Sequence, residues 1–162
     1  KLDWIVQKAT ELGVHEIIPI EMSRNVVKWN KDKASKKTER LQKIAEEASE
    51  QSHRLKLPFV SEVMTIDSLI EYTKTYHQKL IAYEEAVKEG ETVQLVKSLQ
   101  ALKEGEKIVF VFGPEGGIDE KEVAKLQMNE FHTCSLGPRI LRAETAPLYA
   151  LSALSYQCEL LQ

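Results

Sequence analysis

The chain has 162 residues, 43% of them hydrophobic and 29% charged, with a formal net charge of −3. A chain of this size hides roughly 70% of its surface on folding, so one domain with a real core is expected. No apolar run approaches the roughly 20 residues that span a bilayer, and residues 1 to 15 mix charges with apolar side chains, so neither a membrane anchor nor a signal peptide is expected.

The first residue is Lys1 and not Met, so the sequence reads as a possible fragment. Cys134 and Cys158 both sit among apolar neighbours. They read as two reduced core thiols of a cytoplasmic protein, with no disulfide framework and no metal site. The charge is unevenly spread: eight basic residues between Arg24 and Lys43 face only Asp32 and Glu39, so that stretch is +6 and the remainder −9. Such a cluster attracts phosphates or forms a solvated helix face.

In chain order, residues 3 to 12 place Ile5, Ala9 and Leu12 on one helical face, with Gly13 where a C-terminal cap belongs. His15 to Met22 is a short β-type run, and Pro19 inside it predicts an edge or irregular strand. Ser35 to His53 repeats Leu41, Ile44, Ala45 and Ala48 at helical spacing. Phe59 to Met64 predicts a strand, and Ile66 to Tyr76 a helix with Asp67 at its N-terminus.

Lys79 to Tyr83 is a buried strand and Thr92 to Leu102 a helix. Lys107 to Phe112 contains five consecutive apolar residues without alternation, which predicts a strand buried on both faces. A helix from Asp119 to Met128 follows, with Asp119 as N-cap and Glu122 completing a capping box. A strand from Phe131 to Leu136 and a long helix from Glu144 to Leu161 close the chain. Alternating strands and helices predict an α/β domain, a mostly parallel sheet with helices on both faces.

Ligands of such sheets bind outside the carboxyl ends of the strands. Two glycine loops stand there. The first, Gly113-Pro114-Glu115-Gly116-Gly117, follows the apolar strand; glycines let its backbone lie close to a ligand. No Gly-Lys-Ser/Thr follows, and Glu115 repels phosphate, so a neutral or cationic ligand suits it better. The second, Leu136-Gly137-Pro138-Arg139-Ile140-Leu141-Arg142-Ala143-Glu144, brings two arginines to the mouth of the site as phosphate or base-edge donors. Read as structure only, both loops are strand-to-helix turns, and the arginines pair with Glu115 and Glu144.

Taken together with Asp3 to Val14, Ser23-Arg24-Asn25-Val26-Val27, and Glu50-Gln51-Ser52-His53-Arg54 followed by Pro58, these loops resemble the ribosomal RNA small subunit methyltransferase E family of the SPOUT superfamily. The resemblance covers nearly the whole chain. It implies methylation of N3 of a uridine in 16S ribosomal RNA of the 30S subunit, with S-adenosyl-L-methionine as donor. It further implies a C-terminal deep trefoil knot, a homodimer through the knot region, and an N-terminal β-barrel RNA-binding domain that this chain lacks. Residues 1 to 162 then form one SPOUT methyltransferase domain.

On this reading Phe112, Gly113, Glu115, Gly117, Leu136, Gly137, Ile140 and Leu141 hold the cofactor. Arg139, Arg142 and Glu144 carry the chemistry, with Glu115 a second candidate proton acceptor, and Arg24 and Arg54 grip RNA. None of the four histidines is a convincing base; His53 beside Arg54 is the one to watch. The helix 144–161, with Leu148, Leu151, Leu154, Tyr156 and Leu160, is apolar on more than one face and suits both core and dimer contact. Two alternatives stay open. One is a SPOUT enzyme acting on a ribose 2′-hydroxyl or on transfer RNA; the other is a non-enzymatic RNA-binding or assembly module.

Overall fold

The computed structural model describes residues 1–25 and 28–161; Val26 and Val27, within one of the segments singled out above, lie outside the described residues. Helix α1 (Leu2–Glu11) ends as the sequence predicts. Gly13 takes φ +93°, its amide donates to the Thr10 carbonyl at 3.2 Å, and the Val14 amide donates to the Ala9 carbonyl at 3.1 Å. This double closure satisfies carbonyls that the last turn leaves unpaired.

Strand β1 (Glu16–Ile17) pairs in parallel with β2 (Phe59–Val60), and an isolated bridge joins Ile20 to Met64. The predicted runs 15–22 and 59–64 are thus shorter as strands. Pro19 has no amide to donate, but its carbonyl accepts from the Met64 amide at 2.9 Å. Between them lies α2 (Lys31–Gln51), which starts four residues earlier than expected because the Asn30 side chain caps it, accepting from the Lys33 amide at 2.9 Å. Val6, Leu41, Ala45 and Val60 form the core of this half.

The second half carries α3 (Ile66–Tyr72), β3 (Gln78–Ala82), α4 (Glu84–Lys88), α5 (Gln94–Ala101) and β4 (Ile108–Phe112). It continues through α6 (Glu120–Gln127), β5 (His132–Cys134) and α7 (Ala146–Ser155), and closes on a π-helical turn, Tyr156–Leu160. Thr65 caps α3, and Asp67 stands in its first turn as expected. The α4 turn was not predicted, α5 is shorter than its forecast, and the last helix starts at Ala146, which leaves Glu144 in the loop before it.

The sheet is three-stranded and parallel, in the order β4-β3-β5. Side chains alternate across it. Leu80, Phe110 and Cys134 face Ala150 of α7 and Leu95 of α5, while Ile81 and Val111 face Leu69 of α3 and Val123 and Leu126 of α6. Helices therefore cover both faces, as expected for an α/β sheet. The expectation of a doubly buried strand is met by β3 instead of β4: Leu80 and Ile81 are fully buried, whereas β4 lies at the sheet edge and keeps Ile108, Val109, Phe110 and Phe112 half-exposed.

Candidate functional site

The register of the sheet sets up the site. Ala82 stands level with Phe112 on one side and with Cys134 on the other. All three strands therefore end together, and their following loops start side by side at one carboxyl edge. They wall a cleft of about 460 Å³ together with Lys1 and Arg24, within the size range of small-ligand sites.

The first wall is the loop 113–117. The Gly117 amide donates to the Pro114 carbonyl at 2.8 Å, and Gly117 takes φ +80°, a conformation that disfavours any side chain. A Cβ on Gly113 would stand 2.5 Å from Ile118 Cγ1, so the strand end can turn this tightly only with glycine there. The segment before α2 latches this wall in place. Arg24 Nη1 donates to the Gly116 carbonyl at 3.3 Å, with Nη2 3.8 Å from Asp119, and the Ser23 amide and hydroxyl both donate to Glu122, at 3.2 Å each. Asp119 caps α6 as predicted, accepting from the Lys121 amide at 2.8 Å. Glu122 makes no capping box, because its carboxylate is engaged by Ser23.

The second wall is the loop 136–145. Gly137 has φ +89°, and a Cβ there would lie 3.2 Å from Tyr149 Oη, so this glycine packs behind the wall and does not line the cleft. The Thr145 and Ala146 amides both donate to the Arg142 carbonyl, at 3.0 and 3.1 Å, which curls the chain into α7. Upstream, the Ser135 amide donates to Glu91 at 2.9 Å. Burial alone would raise the Glu91 carboxyl, but the amides of Ser135, Gln94 and Val93 outweigh it and hold it below its ordinary value.

Phe112, Gly113, Glu115, Gly117, Leu136, Ile140, Leu141 and all three proposed catalytic residues line the cleft. Arg139 and Arg142 are exposed, and among the described residues neither side chain is held by a hydrogen bond or an ion pair. Their expected pairing with Glu115 and Glu144 is replaced by Lys1, whose ammonium stands 3.5 Å from Glu115 and 3.7 Å from Glu144. Glu144 Oε2 is inaccessible to solvent and accepts no hydrogen bond. Glu115 titrates below its ordinary value, chiefly because its own backbone amide donates to it, with Lys1 adding to the effect against burial.

Arg54 is placed elsewhere. Its Nη1 donates to the carbonyls of Thr10 and Val14, at 3.0 and 2.8 Å, and closes the far end of α1. His53, at φ +59°, lies there too, outside the cleft.

Sequence reasoning missed the third wall, Ala82-Tyr83-Glu84, and the contribution of Lys1. The burial of strand 79–83 was its available signal, since a central parallel strand also ends in a site-facing loop. Burial raises the Tyr83 phenol, with the carboxylates of Glu120, Glu85 and Glu89 acting in the same direction, so it is a neutral donor at physiological pH. Burial likewise pushes the Cys134 thiol up to about 12, which removes it as a nucleophile.

A second, larger cleft of about 1400 Å³ lies between the open edge of β4 and the β1–β2 pair. Its walls include apolar side chains of α1, β4 and α7 together with charged residues such as Glu16, Glu21, Lys28 and Lys107, whereas the two glycine loops converge on the smaller cleft. Among the described residues no cluster of His, Cys, Asp or Glu could hold a metal ion, and no helix is long and apolar enough to cross a membrane.

Residues 1–155 match the family model of the RNA methyltransferase domain. The chain is 50% identical over its whole length to the ribosomal RNA small subunit methyltransferase E of Bacillus subtilis, of which it covers 63%. It is 31% identical over 93% of its length to that of Mesomycoplasma hyopneumoniae, covering 62%. It thus spans less than two thirds of the length of either relative. Among solved structures it is similar to a Legionella pneumophila methyltransferase in complex with SAM (TM-score 0.83, 31% identity, 94% of this chain and 60% of that one). It is also similar to a Neisseria gonorrhoeae ribosomal RNA small subunit methyltransferase E bound to S-adenosyl methionine (TM-score 0.80, 32% identity, 97% and 62%).

Proposed function

The chain belongs to the RNA methyltransferase domain family, and on that premise we propose that it methylates N3 of a uridine in 16S ribosomal RNA of the small subunit, using S-adenosyl-L-methionine. The observation that carries this reading is the convergence of three aligned loops on one cleft, whose lining includes two unpaired guanidinium groups and a buried carboxylate oxygen with no hydrogen bond.

The walls fit the cofactor. Glycine at 113 and 117 lets the loop turn tightly at the edge of the cleft, and Phe112, Leu136, Ile140 and Leu141 offer apolar contact. Glu115 and Glu144 suit a cationic ligand. When bound, the cofactor supplies an electrophilic methyl carbon on a positively charged sulfur. The uracil imide attacks poorly until its N3 proton leaves. Glu144 Oε2 accepts that proton, since it is desolvated and has no competing donor within hydrogen-bond distance. Arg139 and Arg142 stabilise the negative charge that develops on the base, or an adjacent phosphate. Arg24 keeps the first wall in place and offers its remaining donors to RNA, and we retain Arg54 as an RNA contact outside the cleft.

A C-terminal trefoil knot, with the segment after β5 passing through the loop after β4, completes this reading. The adjacency of these two loops beside β3 supports it. The apolar side chains exposed on α7 and the closing turn, Tyr149, Tyr156, Leu160 and Leu161, support a homodimer through this region. A ribosomal RNA substrate puts the enzyme in the cytoplasm. The test is mass spectrometry of 16S RNA after incubation of 30S subunits with S-adenosylmethionine and the protein in its natural full-length form. One added methyl on N3 of a uridine is expected. A ribose 2′-O-methyl or a methylated transfer RNA would move the reading to a sister enzyme, and cofactor binding with no transfer to any RNA would make it a binding module.

A further inference from the structure

The proposed reaction leaves the longest helix without a role, and its charges are segregated. From Lys33 to Lys43 α2 carries Lys33, Lys36, Lys37, Arg40 and Lys43, with Lys31 at the helix start outside this group; nearer its end it carries Glu46, Glu47 and Glu50. At 3.6 residues per turn the five basic side chains fall within an arc of about 120°. All five are exposed, and Asp32 and Glu39 lie on the flank of the stripe. A helix face that merely keeps a protein soluble mixes signs at spacings of three and four. Here Glu39 precedes Lys43 by four residues, and the two form no ion pair. Among the described residues the side chains of Lys33, Lys36 and Lys43 make no hydrogen bond or salt bridge; Lys37 sits 4.6 Å from the centre of the Trp29 ring, and Arg40 pairs with Asp3.

The direction of this polarity matters. The Arg40–Asp3 pair joins the basic half of α2 to the start of α1, two residues from Lys1, which lines the cleft. Arg54, just past the acidic half, is tied to the other end of α1 through Thr10 and Val14. The two helices therefore run side by side in the same sense, and the basic half lies at the cleft end. Residues 31 to 40 continue about 13 Å along the axis beyond the level of Asp3. Outside Arg24 to Lys43 the chain carries −9, so a polyanion is repelled by most of the surface and drawn to this stripe.

We infer that the basic half of α2 is a docking face for the phosphate backbone of the RNA substrate, leading it toward the cleft between the glycine loops. The inference rests on the proposed function, which makes the substrate RNA. Phosphate contacts of this kind set position and affinity without reading sequence.

The experiment compares Lys33→Gln/Lys36→Gln/Lys43→Gln with wild type in the natural full-length protein, measuring affinity for 30S subunits across a salt series and, separately, calorimetric binding of S-adenosylmethionine. Among the described residues the substituted side chains make no hydrogen bond or salt bridge and all three are exposed, so both proteins are expected to fold alike. Weakening by about tenfold at ~0.1 M salt is expected, with the slope of log K against log salt smaller by about 2. Cofactor affinity is expected to stay unchanged. An unaltered slope and affinity would overturn the docking face while leaving the methyltransferase reading standing. Wild-type protein that binds the cofactor but no RNA would overturn both.

Discussion

The Ser135 amide donates to a carboxylate oxygen of Glu91 at 2.9 Å, and the Ser135 hydroxyl donates to the Glu91 carbonyl at 2.6 Å. The same carboxylate accepts from the Val93 and Gln94 amides at the start of α5. One side chain thus caps a helix and holds the end of β5, immediately before the second wall of the cleft. Glu91→Ala leaves three amides without their acceptor and is expected to cost about 2 kcal/mol, read by denaturant unfolding. The folded carboxyl titrates below its unfolded value, so its stabilisation is present above the unfolded pKa and is lost as pH falls through the folded one. Glu91→Gln should flatten that acid limb. An unchanged limb would show that other carboxylates govern it.

Gly113→Ala sets a methyl 2.5 Å from Ile118 Cγ1 and 3.2 Å from the Ile118 amide nitrogen. The backbone atom cannot rotate away. We expect a loss of about 1–3 kcal/mol from overpacking and weaker calorimetric binding of S-adenosylmethionine, since the wall itself must shift. Wild-type affinity in a folded variant would separate this loop from the cofactor.

Arg139→Ala and Arg142→Ala remove side chains with no partner among the described residues, so stability should change by less than about 0.5 kcal/mol. Methyl transfer to 30S subunits should fall by about 100-fold or more in at least one of them. Normal rates in both variants would remove the arginines from the mechanism.

Glu144→Gln replaces an oxygen that accepts no hydrogen bond and lies 3.7 Å from Lys1. As a proton acceptor its loss costs about 100-fold or more in transfer rate with stability near wild type. A purely structural partner of Lys1 would show the reverse, a lowered melting temperature and an intact rate.

Arg54→Ala frees the carbonyls of Thr10 and Val14, and the guanidinium is desolvated enough to lower its pKa. A loss of about 2 kcal/mol is expected, read by thermal unfolding, and Arg54→Lys should recover only part because an ammonium lacks the planar fork. RNA affinity at matched folded fraction measures any separate contact with substrate.

Much of this architecture is legible locally. Gly13 ends α1, Asp119 caps α6, Pro147 sits in the first turn of α7, and each follows from backbone chemistry within a few residues. Both glycine loops and their place after strands are equally readable. What escapes is non-local. Glu122 suits a capping box until Ser23, 99 residues away, claims its carboxylate. Glu144 looks like a helix start until the paired bonds to the Arg142 carbonyl delay α7 to Ala146. The five apolar residues of 108–112 predict a strand buried on both faces, but its place at the edge of the sheet, where four of them stay half-exposed, depends on which partners it finds. Arg54 reads as a free cation, and only the packing of α1 beside α2 supplies the two carbonyls that claim it.

The level alignment of Ala82 with Phe112 and Cys134 also constrains how such a domain can diversify. A residue inserted in any of the three loops lengthens one wall and leaves the others where they were. An insertion within a strand advances its loop by about 3.3 Å and turns every following side chain to the opposite face, which would put Phe110 among the partners of Val111. The loops are therefore expected to be where the cleft can be reshaped, while the strands must keep their length and register.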